Sequence, residues 1–193
     1  EWRRCGQPVR RLRGSCLGVV GLGAIGRALA TRSQALGMTM LASDPFATPQ
    51  AADDIGARLV ELPELLREAD FTSLHCPLTE QTRHLLGPDE LALMKPTAYL
   101  INTARGGLVD QPALTAALQS GRLAGAALDV LDPEVPAPDD PLRRMDNVIL
   151  TPHVAWYSEQ ALEDLVIGAF ARVAAIARAM AESWRCGRSQ HSR

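Results

Sequence analysis

A glycine-rich hexapeptide, Gly21-Leu22-Gly23-Ala24-Ile25-Gly26, constrains this chain more than any other feature, because of what flanks it. A short apolar run at residues 17–20 precedes it and is typical of a buried strand. Residues 27–36 follow it with apolar side chains at helical spacing and with neither Pro nor Gly. The pattern predicts a strand, a tight glycine turn and a helix.

A second apolar run at residues 38–42 leads to Asp44, which lies eighteen residues beyond Gly26. The order strand, glycine turn, helix, strand and acid is that of a dinucleotide site. The Asp44 carboxylate would accept hydrogen bonds from the adenosine ribose hydroxyls and repel a 2′-phosphate. The arrangement therefore predicts NAD rather than NADP as the cofactor.

Each glycine of the turn has a separate physical task. Gly21 allows the tight turn, Gly23 lets the backbone approach a pyrophosphate, and Gly26 lets the helix pack against the strand. Backbone N–H groups of the first helical turn, including those of Ala24 and Ile25, then face the phosphates. Three glycines in six residues also occur in ordinary turns, so the flanking elements decide between the two interpretations.

Bulk composition limits the other classes of function. The chain has 193 residues, is 47% hydrophobic and 22% charged, and carries a net charge of −2. This suits one soluble globular domain or slightly more, with no direct nucleic-acid partner and no membrane attachment. The four cysteines show no CxxC or metal spacing, which indicates free thiols in a reducing compartment, cytoplasmic by default, and no metal site. The first residue is Glu, which suggests a piece of a longer protein.

Strand and helix candidates alternate along the rest of the chain. Further strands are predicted at 71–75, 99–102, 123–129 and 148–150, and helices at 62–67, 89–94, 112–119 and 158–182. Ser158 is the predicted N-cap of the last helix. This order predicts an α/β fold with a doubly wound, Rossmann-type parallel sheet. The predicted organisation is a linker at 1–16, a nucleotide-binding domain at 17–157, a C-terminal helix at 158–182 and a flexible tail at 183–193.

Ligands of such sheets bind beyond the carboxyl ends of the strands. Residues that follow the predicted strands are therefore expected to converge at one edge: 21–26, Asp44, 75–77, 103–105, Asp129 and 151–153. Their convergence is a stronger argument than any of them alone.

Three further segments resemble the D-isomer-specific 2-hydroxyacid dehydrogenase family. They are Asn-Thr-Ala-Arg-Gly-Gly-Leu-Val-Asp at 102–110, Gly-Ala-Ala-Leu-Asp-Val at 125–130 with Glu134 beyond it, and Thr-Pro-His at 151–153. Within the family, residues 153–161 are most similar to the C-terminal binding protein branch. That branch includes NAD(H)-dependent transcriptional corepressors and bacterial dehydrogenase relatives.

The resemblance implies a catalytic trio of Arg105, Glu134 and His153. Arg105 would hold the carboxylate of a 2-oxo acid and polarise its carbonyl. His153 would donate a proton as hydride arrives and accept one in the reverse direction, and a paired Glu134 would favour its charged form. The family usually has Pro after this Glu, whereas Val135 stands here.

The same resemblance implies a set of cofactor contacts for NAD: Gly21, Gly23, Ala24, Ile25, Gly26, Asp44, Cys76, Pro77, Thr82, Thr103, Ala104, Arg105, Asp129, His153 and Trp156. Asp129 would bond the nicotinamide carboxamide, or alternatively cap a loop. Trp156 would narrow the substrate pocket, or serve as a packing aromatic. His75, His84 and His191 are expected to be strand-end or surface residues.

The family also implies a second, substrate-binding domain, and the leading part that would form most of it is expected to be largely absent from this chain. The predicted function is a dehydrogenase that transfers hydride between NAD and a small D-2-hydroxy or 2-oxo acid, expected to work as a homodimer. Two alternatives remain open: an NAD(H)-sensing, corepressor-like dimer with little turnover, and an inactive truncated remnant.

Overall fold

The structure is a computed structural model that describes residues 11–188, with side chains described to residue 178. The described residues form two compact units, 11–153 and 154–188. Residues 1–10 and 189–193 lie outside the described residues. They include most of the predicted linker at 1–16 and part of the predicted tail at 183–193.

A seven-stranded sheet forms the first unit. Its strands are β1 (Cys16–Val20), β2 (Thr39–Ser43), β3 (Ala57–Leu59), β4 (Phe71–Leu74), β5 (Tyr99–Asn102), β6 (Gly125–Leu128) and β7 (Val148–Leu150). Every neighbouring pair is parallel, in the order β3-β2-β1-β4-β5-β6-β7. The order reverses direction at β1, which is the topological switch point of a doubly wound sheet. The predicted α/β, Rossmann-type fold is confirmed.

Five helices connect these strands: α1 (Ala24–Ala35), α2 (Pro49–Asp53), α3 (Leu62–Glu68), α4 (Pro88–Leu93) and α5 (Gln111–Gln119). Four of them, α2 to α5, carry Pro in the first turn, where its missing N–H costs no intrahelical bond. Asp110 caps α5 because its side chain accepts a bond from the Ala113 N–H at 2.9 Å. Single-turn 3-10 helices occur at Gly106–Leu108 and Pro141–Arg144.

Two apolar clusters cover the two faces of the sheet. Alternation along β1 shows this directly, since Leu17 and Val19 belong to one cluster with Ala30 of α1. Val20 belongs to the other cluster, with Leu65 of α3. Burial on both faces explains why the strands read as short continuous apolar runs in the sequence.

No sequence pattern indicated α2 and β3, which lie between Asp44 and α3. Strand β3 has only three residues, and Arg58 is exposed between two partly or fully buried neighbours. An edge strand of this kind leaves no apolar run to recognise.

The second unit contains one long helix, α6 (Glu159–Arg188). The Ser158 hydroxyl accepts a hydrogen bond from the Ala161 N–H at 2.9 Å, as an N-cap does. The helix continues to Arg188, beyond the predicted end at residue 182. Within residues 11–188 no helix combines the length and the apolar character that crossing a membrane requires.

Candidate active site

The register of the parallel strands brings the predicted site segments to one edge of the sheet. Val20 is paired with Ser43 on one side and with Leu74 on the other. The same row continues through Asn102 and Leu128 to Leu150. The segments that begin one residue later, at 21, 44, 75, 103, 129 and 151, therefore leave six neighbouring strands side by side.

Two glycines of the turn are required by the fold itself. Gly21 has a φ of 95°, and a Cβ there would stand 2.7 Å from the Cys76 backbone nitrogen. A Cβ on Gly26 would stand 2.1 Å from the Gly21 carbonyl oxygen. Since Cβ atoms do not approach backbone this closely, glycine is required at position 26 for α1 to start so near the turn. It is required at position 21 for the turn to pass so near the chain that follows β4.

Gly23 is different, because nothing in the protein requires it. A Cβ there would meet no atom within 4 Å, and its φ of −68° suits any residue. Gly23 is also the N-cap of α1, so no side chain forms a capping hydrogen bond at the end of that helix. The first turn of α1 contains no acidic residue, which keeps the positive end of the helix dipole open to an anion.

Asp44 follows β2 and bonds to the glycine turn. One carboxylate oxygen accepts from the Leu22 N–H and the other from the Phe46 N–H, both at 2.8 Å. Each oxygen of a carboxylate has a further lone pair, so these bonds leave acceptor capacity for ligand hydroxyls. The side chain thus ties the end of β2 to the glycine turn at the edge of the sheet.

Arg105 lies on a turn whose backbone is held by the side chain of Asn102. Asn102 is 1% exposed; its Oδ1 accepts from the Ala104 N–H at 3.0 Å and its Nδ2 donates to the Arg105 carbonyl at 2.9 Å. Arg105 is exposed, and its guanidinium donates to the Ala104 carbonyl at 2.6 Å. A Cβ on Gly106 would stand 2.1 Å from the Leu131 carbonyl, so this turn packs tightly against the chain that leads to Glu134.

Glu134 and His153 form a hydrogen-bonded pair through Glu134 Oε1 and His153 Nδ1. Because a carboxylate only accepts, Nδ1 carries the hydrogen, and Nε2 is the ring nitrogen that can exchange a proton. The His153 backbone is left-handed, with a φ of 55°, and its N–H donates to the carbonyls of Asp129 and Thr151 at 2.9 and 3.1 Å. Val135 in place of the usual Pro does not prevent the pair from forming.

Comparison with known proteins fits this geometry. A family model described as "D-isomer specific 2-hydroxyacid dehydrogenase, NAD binding domain" matches residues 1–155 of the chain. The chain belongs to this family. Its cofactor is accordingly NAD.

Relatives of this NAD-binding domain are enzymes of the same family. It is 45% identical over 162 residues to a D-3-phosphoglycerate dehydrogenase from Methanocaldococcus jannaschii, covering 83% of this chain and 31% of that protein. It is 44% identical over 164 residues to a glyoxylate reductase from Korarchaeum cryptofilum, covering 83% of this chain and 49% of that protein. The chain thus spans about a third of the first relative and about half of the second.

Among solved structures, the domain is similar to a D-lactate dehydrogenase from Aquifex aeolicus complexed with NAD and lactic acid. The TM-score is 0.81 at 35% identity, over 93% of this chain and 58% of that one. These three relatives are two dehydrogenases and a reductase. Placement in the C-terminal binding protein branch stays a prediction from residues 153–161.

The open space at Gly23 is the observation that tests whether NAD fits. Gly21 and Gly26 serve internal packing, whereas the absent side chain of Gly23 keeps clear a space outside the protein, at the N-terminus of α1. A pyrophosphate requires such a clear, electropositive approach to backbone N–H groups. The residues present therefore fit the cofactor of the family.

The segment after β4 supplies further predicted contacts. The Thr82 hydroxyl donates to the Pro77 carbonyl and accepts from the Thr79 N–H, both at 2.7 Å, which folds the segment into a compact turn. Burial raises the pKa of the Cys76 thiol and lowers the pKa of His75. Both side chains are therefore uncharged at neutral pH.

Asp129 follows β6, which lies between the strand that leads to Arg105 and the strand that leads to His153. It is 4% exposed, its Oδ1 accepts from the Thr151 hydroxyl at 2.5 Å, and its N–H donates to the Asn102 carbonyl at 2.9 Å. Both roles suggested by the sequence, carboxamide acceptor and loop cap, are compatible with these bonds. Thr103, one residue beyond β5, is exposed.

Trp156 belongs to the second unit, where it is 51% exposed and meets Tyr157 edge-to-face with ring centroids 5.6 Å apart. Its predicted role beside the substrate stays a prediction. His84 is half-exposed and lies 3.9 Å from an Asp110 oxygen, and His191 is outside the described residues. In residues 11–188 no group of three or more His, Cys, Asp or Glu is arranged to hold a metal ion.

Asn102 was recognised in the sequence only as part of the motif at 102–110, and its role in holding the Arg105 turn was not predicted. A polar residue that ends a buried strand, directly before an exposed turn, was the available signal. Gln111, which contacts the loop of Glu134, was missed altogether, because its partners lie far along the chain.

Proposed function

We propose that this chain is the cofactor-binding and acid–base part of an NAD-dependent dehydrogenase that interconverts D-2-hydroxy acids and 2-oxo acids. The single observation that carries the proposal is the Glu134–His153 pair at the same sheet edge as the glycine turn. A dinucleotide-binding turn alone would suit many binding proteins. An oriented imidazole at that edge is what proton transfer requires.

The proposed contacts to NAD use the backbone of the turn and one carboxylate. Gly23, Ala24 and Ile25 would present backbone N–H groups to the pyrophosphate, and Asp44 would accept from the ribose hydroxyls. The remaining proposed contacts are Gly21, Gly26, Cys76, Pro77, Thr82, Thr103, Ala104, Arg105, Asp129, His153 and Trp156. NAD(H), when bound, supplies the hydride that reduces the substrate carbonyl.

The proposed roles of the trio follow from their chemistry. Arg105 is exposed and offers a planar fork of donors that matches a carboxylate and an adjacent carbonyl oxygen. Such charge-assisted bonds contribute about 1.5–3 kcal/mol each. His153 Nε2 donates the proton to the carbonyl oxygen during reduction and takes it back during oxidation, while Glu134 on Nδ1 stabilises the charged ring.

A homodimer is the proposed assembly, and α6 supports it. Large apolar side chains along this helix are exposed, among them Leu165 (62%), Phe170 (73%) and Val173 (65%). Exposed apolar surface of this kind favours packing against further protein, which we propose to be a second copy of the chain. The same helix gives weight to the second candidate, an NAD(H)-sensing dimer. Light scattering with and without NADH separates the two, because association driven by NADH without turnover would favour the sensor.

Titration calorimetry with NADH, NAD and NADPH tests the cofactor proposal on this chain. We expect binding of NADH and NAD and weaker binding of NADPH, because the Asp44 carboxylate repels a 2′-phosphate. Absence of heat with NADH and NAD would contradict the proposal.

Turnover is tested by following NADH oxidation with glyoxylate, pyruvate and hydroxypyruvate. We expect the chain alone to turn over weakly or not at all, because its charged groups stand at an open, well-hydrated edge where their electrostatic effect is reduced. Rapid turnover by the chain alone would show this expectation to be wrong.

A further inference from the structure

The loop that carries Glu134, residues 132–140, is held at both ends by one side chain. Gln111 is the first residue of α5, and its Oε1 accepts from the Asp132 N–H at 3.1 Å. Its Nε2 donates to the Asp140 carboxylate at 3.0 Å. One amide therefore links the two ends of the loop, and we call these two hydrogen bonds the clasp.

Within the loop, the Asp140 N–H donates to the Ala137 carbonyl at 3.0 Å, and Glu134 bonds to His153. Just before the loop, the Gly106 turn packs against Leu131. Glu134 is 63% exposed, and most of its neighbours in the loop are exposed as well. Arg83 lies 3.4 Å from the Asp132 carboxylate, but both side chains are about half-exposed, and exposed pairs of this kind stabilise little. The position of Glu134 therefore depends on how firmly the loop ends are held.

The Asp140 end is firmly attached to the domain core. Asp140 Oδ1 accepts from the Leu142 N–H at 2.9 Å, and Leu142 is 1% exposed. The other carboxylate oxygen of Asp140 is the one that Gln111 binds. Through Gln111, this anchored end also fixes the Asp132 end, two residues before Glu134.

We propose that Gln111 is a positioning residue, whose amide closes the 132–140 loop so that Glu134 stays on His153 Nδ1. The catalytic meaning of that pair rests on the proposed function, but the clasp itself and its test do not.

The chemistry of the clasp requires an amide. One arm must accept a hydrogen bond from a backbone N–H, and the other must donate one to a carboxylate. A carboxylate at this position could accept but not donate, and it would be a fifth beside the four at Asp132, Glu134, Asp139 and Asp140. A flipped Gln111 amide cannot form the clasp, because its Nε2 donor would then face the Asp132 N–H, which is also a donor.

This chemistry allows a test in which two harmful changes cancel. Gln111→Glu places a carboxylate against the Asp140 carboxylate, and Asp140→Asn places an amide donor against the Gln111 donor. In the double variant Q111E/D140N, the new amide at position 140 donates to the new carboxylate at position 111. That carboxylate still accepts from the Asp132 N–H, so the clasp is restored with its donor and acceptor exchanged.

The readout is the tautomer of the His153 ring, measured from long-range 1H–15N spectra at a pH where the ring is neutral. A glutamate seated on Nδ1 makes Nδ1–H the dominant form. We expect Nδ1–H to become the minor form in each single variant and to return to the wild-type level in the double variant. The signals are assigned by their loss in His153→Gln.

Asp139→Asn is the matched control, because it removes the same charge from the neighbouring exposed residue and is expected to leave the tautomer unchanged. Gln111→Ala removes both bonds without adding charge and gives the same readout should Q111E fail to fold. A wild-type tautomer in Q111A and D140N, or a double variant that stays at the level of the single ones, would overturn the proposal. Neither NADH binding nor turnover enters this readout, so failure of the clasp is distinguishable from failure of the proposed function.

Discussion

The glycine turn and the Glu134 loop meet the same edge of the sheet but are built by different means. Main chain packed against main chain shapes the turn, where Gly26 approaches the Gly21 carbonyl and the Gly21 N–H donates to the Ser43 carbonyl at 2.9 Å. Side-chain hydrogen bonds on exposed chain shape the loop. The turn should therefore be sensitive to a single added carbon, and the loop to the loss of a donor or acceptor.

Gly26→Ala is expected to have the largest effect. The new Cβ would stand 2.1 Å from the Gly21 carbonyl oxygen, and backbone cannot move aside as a flexible side chain can. We expect the free energy of unfolding to fall by about 3 kcal/mol or more, as for severe overpacking, and NADH binding to be lost. Urea denaturation and calorimetry measure the two. Wild-type stability in this variant would show that α1 can move away from β1 without cost.

Asn102→Ala comes next and extends the comparison to the Arg105 turn. The substitution leaves the Ala104 N–H and the Arg105 carbonyl without their side-chain partner in a part-buried place. Each unsatisfied group costs about 1–3 kcal/mol, and because both are only part-buried we expect the lower part of the sum, a fall in the free energy of unfolding of roughly 2–4 kcal/mol. Thr103→Ala, at the exposed neighbour, is the control. Equal losses in both variants would mean that the amide of Asn102 does not hold the turn.

Gly23→Ala separates packing from ligand binding. Its Cβ would meet no protein atom, and its φ of −68° suits alanine. Alanine restricts the unfolded chain more than glycine but is a poorer N-cap, so the two effects oppose each other and stability should change by no more than about 1 kcal/mol. NADH affinity should fall at least tenfold, about 1.4 kcal/mol, because the methyl group occupies the proposed pyrophosphate approach. Unchanged affinity for NADH would remove the proposed contact at Gly23.

The smallest expected effect concerns pH and His75. Burial lowers the pKa of His75 in the folded chain below its ordinary value of 6.5. The ring is neutral in both states above pH 6.5, and below it the unfolded chain takes up the proton first, so stability should decline as the pH falls. In His75→Gln, urea denaturation between pH 7.5 and 5.5, a range of about one unit either side of the ordinary His value, should show a shallower decline. The same slope in both proteins would show that His75 does not contribute.

Sequence patterns predicted what depends on local periodicity. The bounds of β5 and β7 are as predicted, and α1, α3 and α5 lie within a few residues of the predicted ranges. The order of apolar runs and helices was enough for the fold class, because parallel strands need helical crossovers. Placement of the strand ends along one edge followed from the same rule.

The side-chain hydrogen bonds that hold the loops of the candidate site could not be predicted, because apolar periodicity does not indicate which polar residues are in contact. Gln111 reaches residues 21 and 29 positions further along the chain. Asn102 acts within three residues, but only its burial distinguishes it from any other turn asparagine. The roles of Arg105, Glu134 and His153 came from the family resemblance and stay predictions.

The left-handed backbone of His153 is unfavourable for stability, at a position where the proposed chemistry requires a side chain. A φ of 55° in a residue other than glycine costs roughly 1–2 kcal/mol, and here the carbonyls of Asp129 and Thr151 hold the residue in that state. Glycine would occupy the same conformation at ease. Backbone strain alone would therefore favour glycine at position 153, whereas the Glu134 bond and the proposed proton transfer both require the imidazole there.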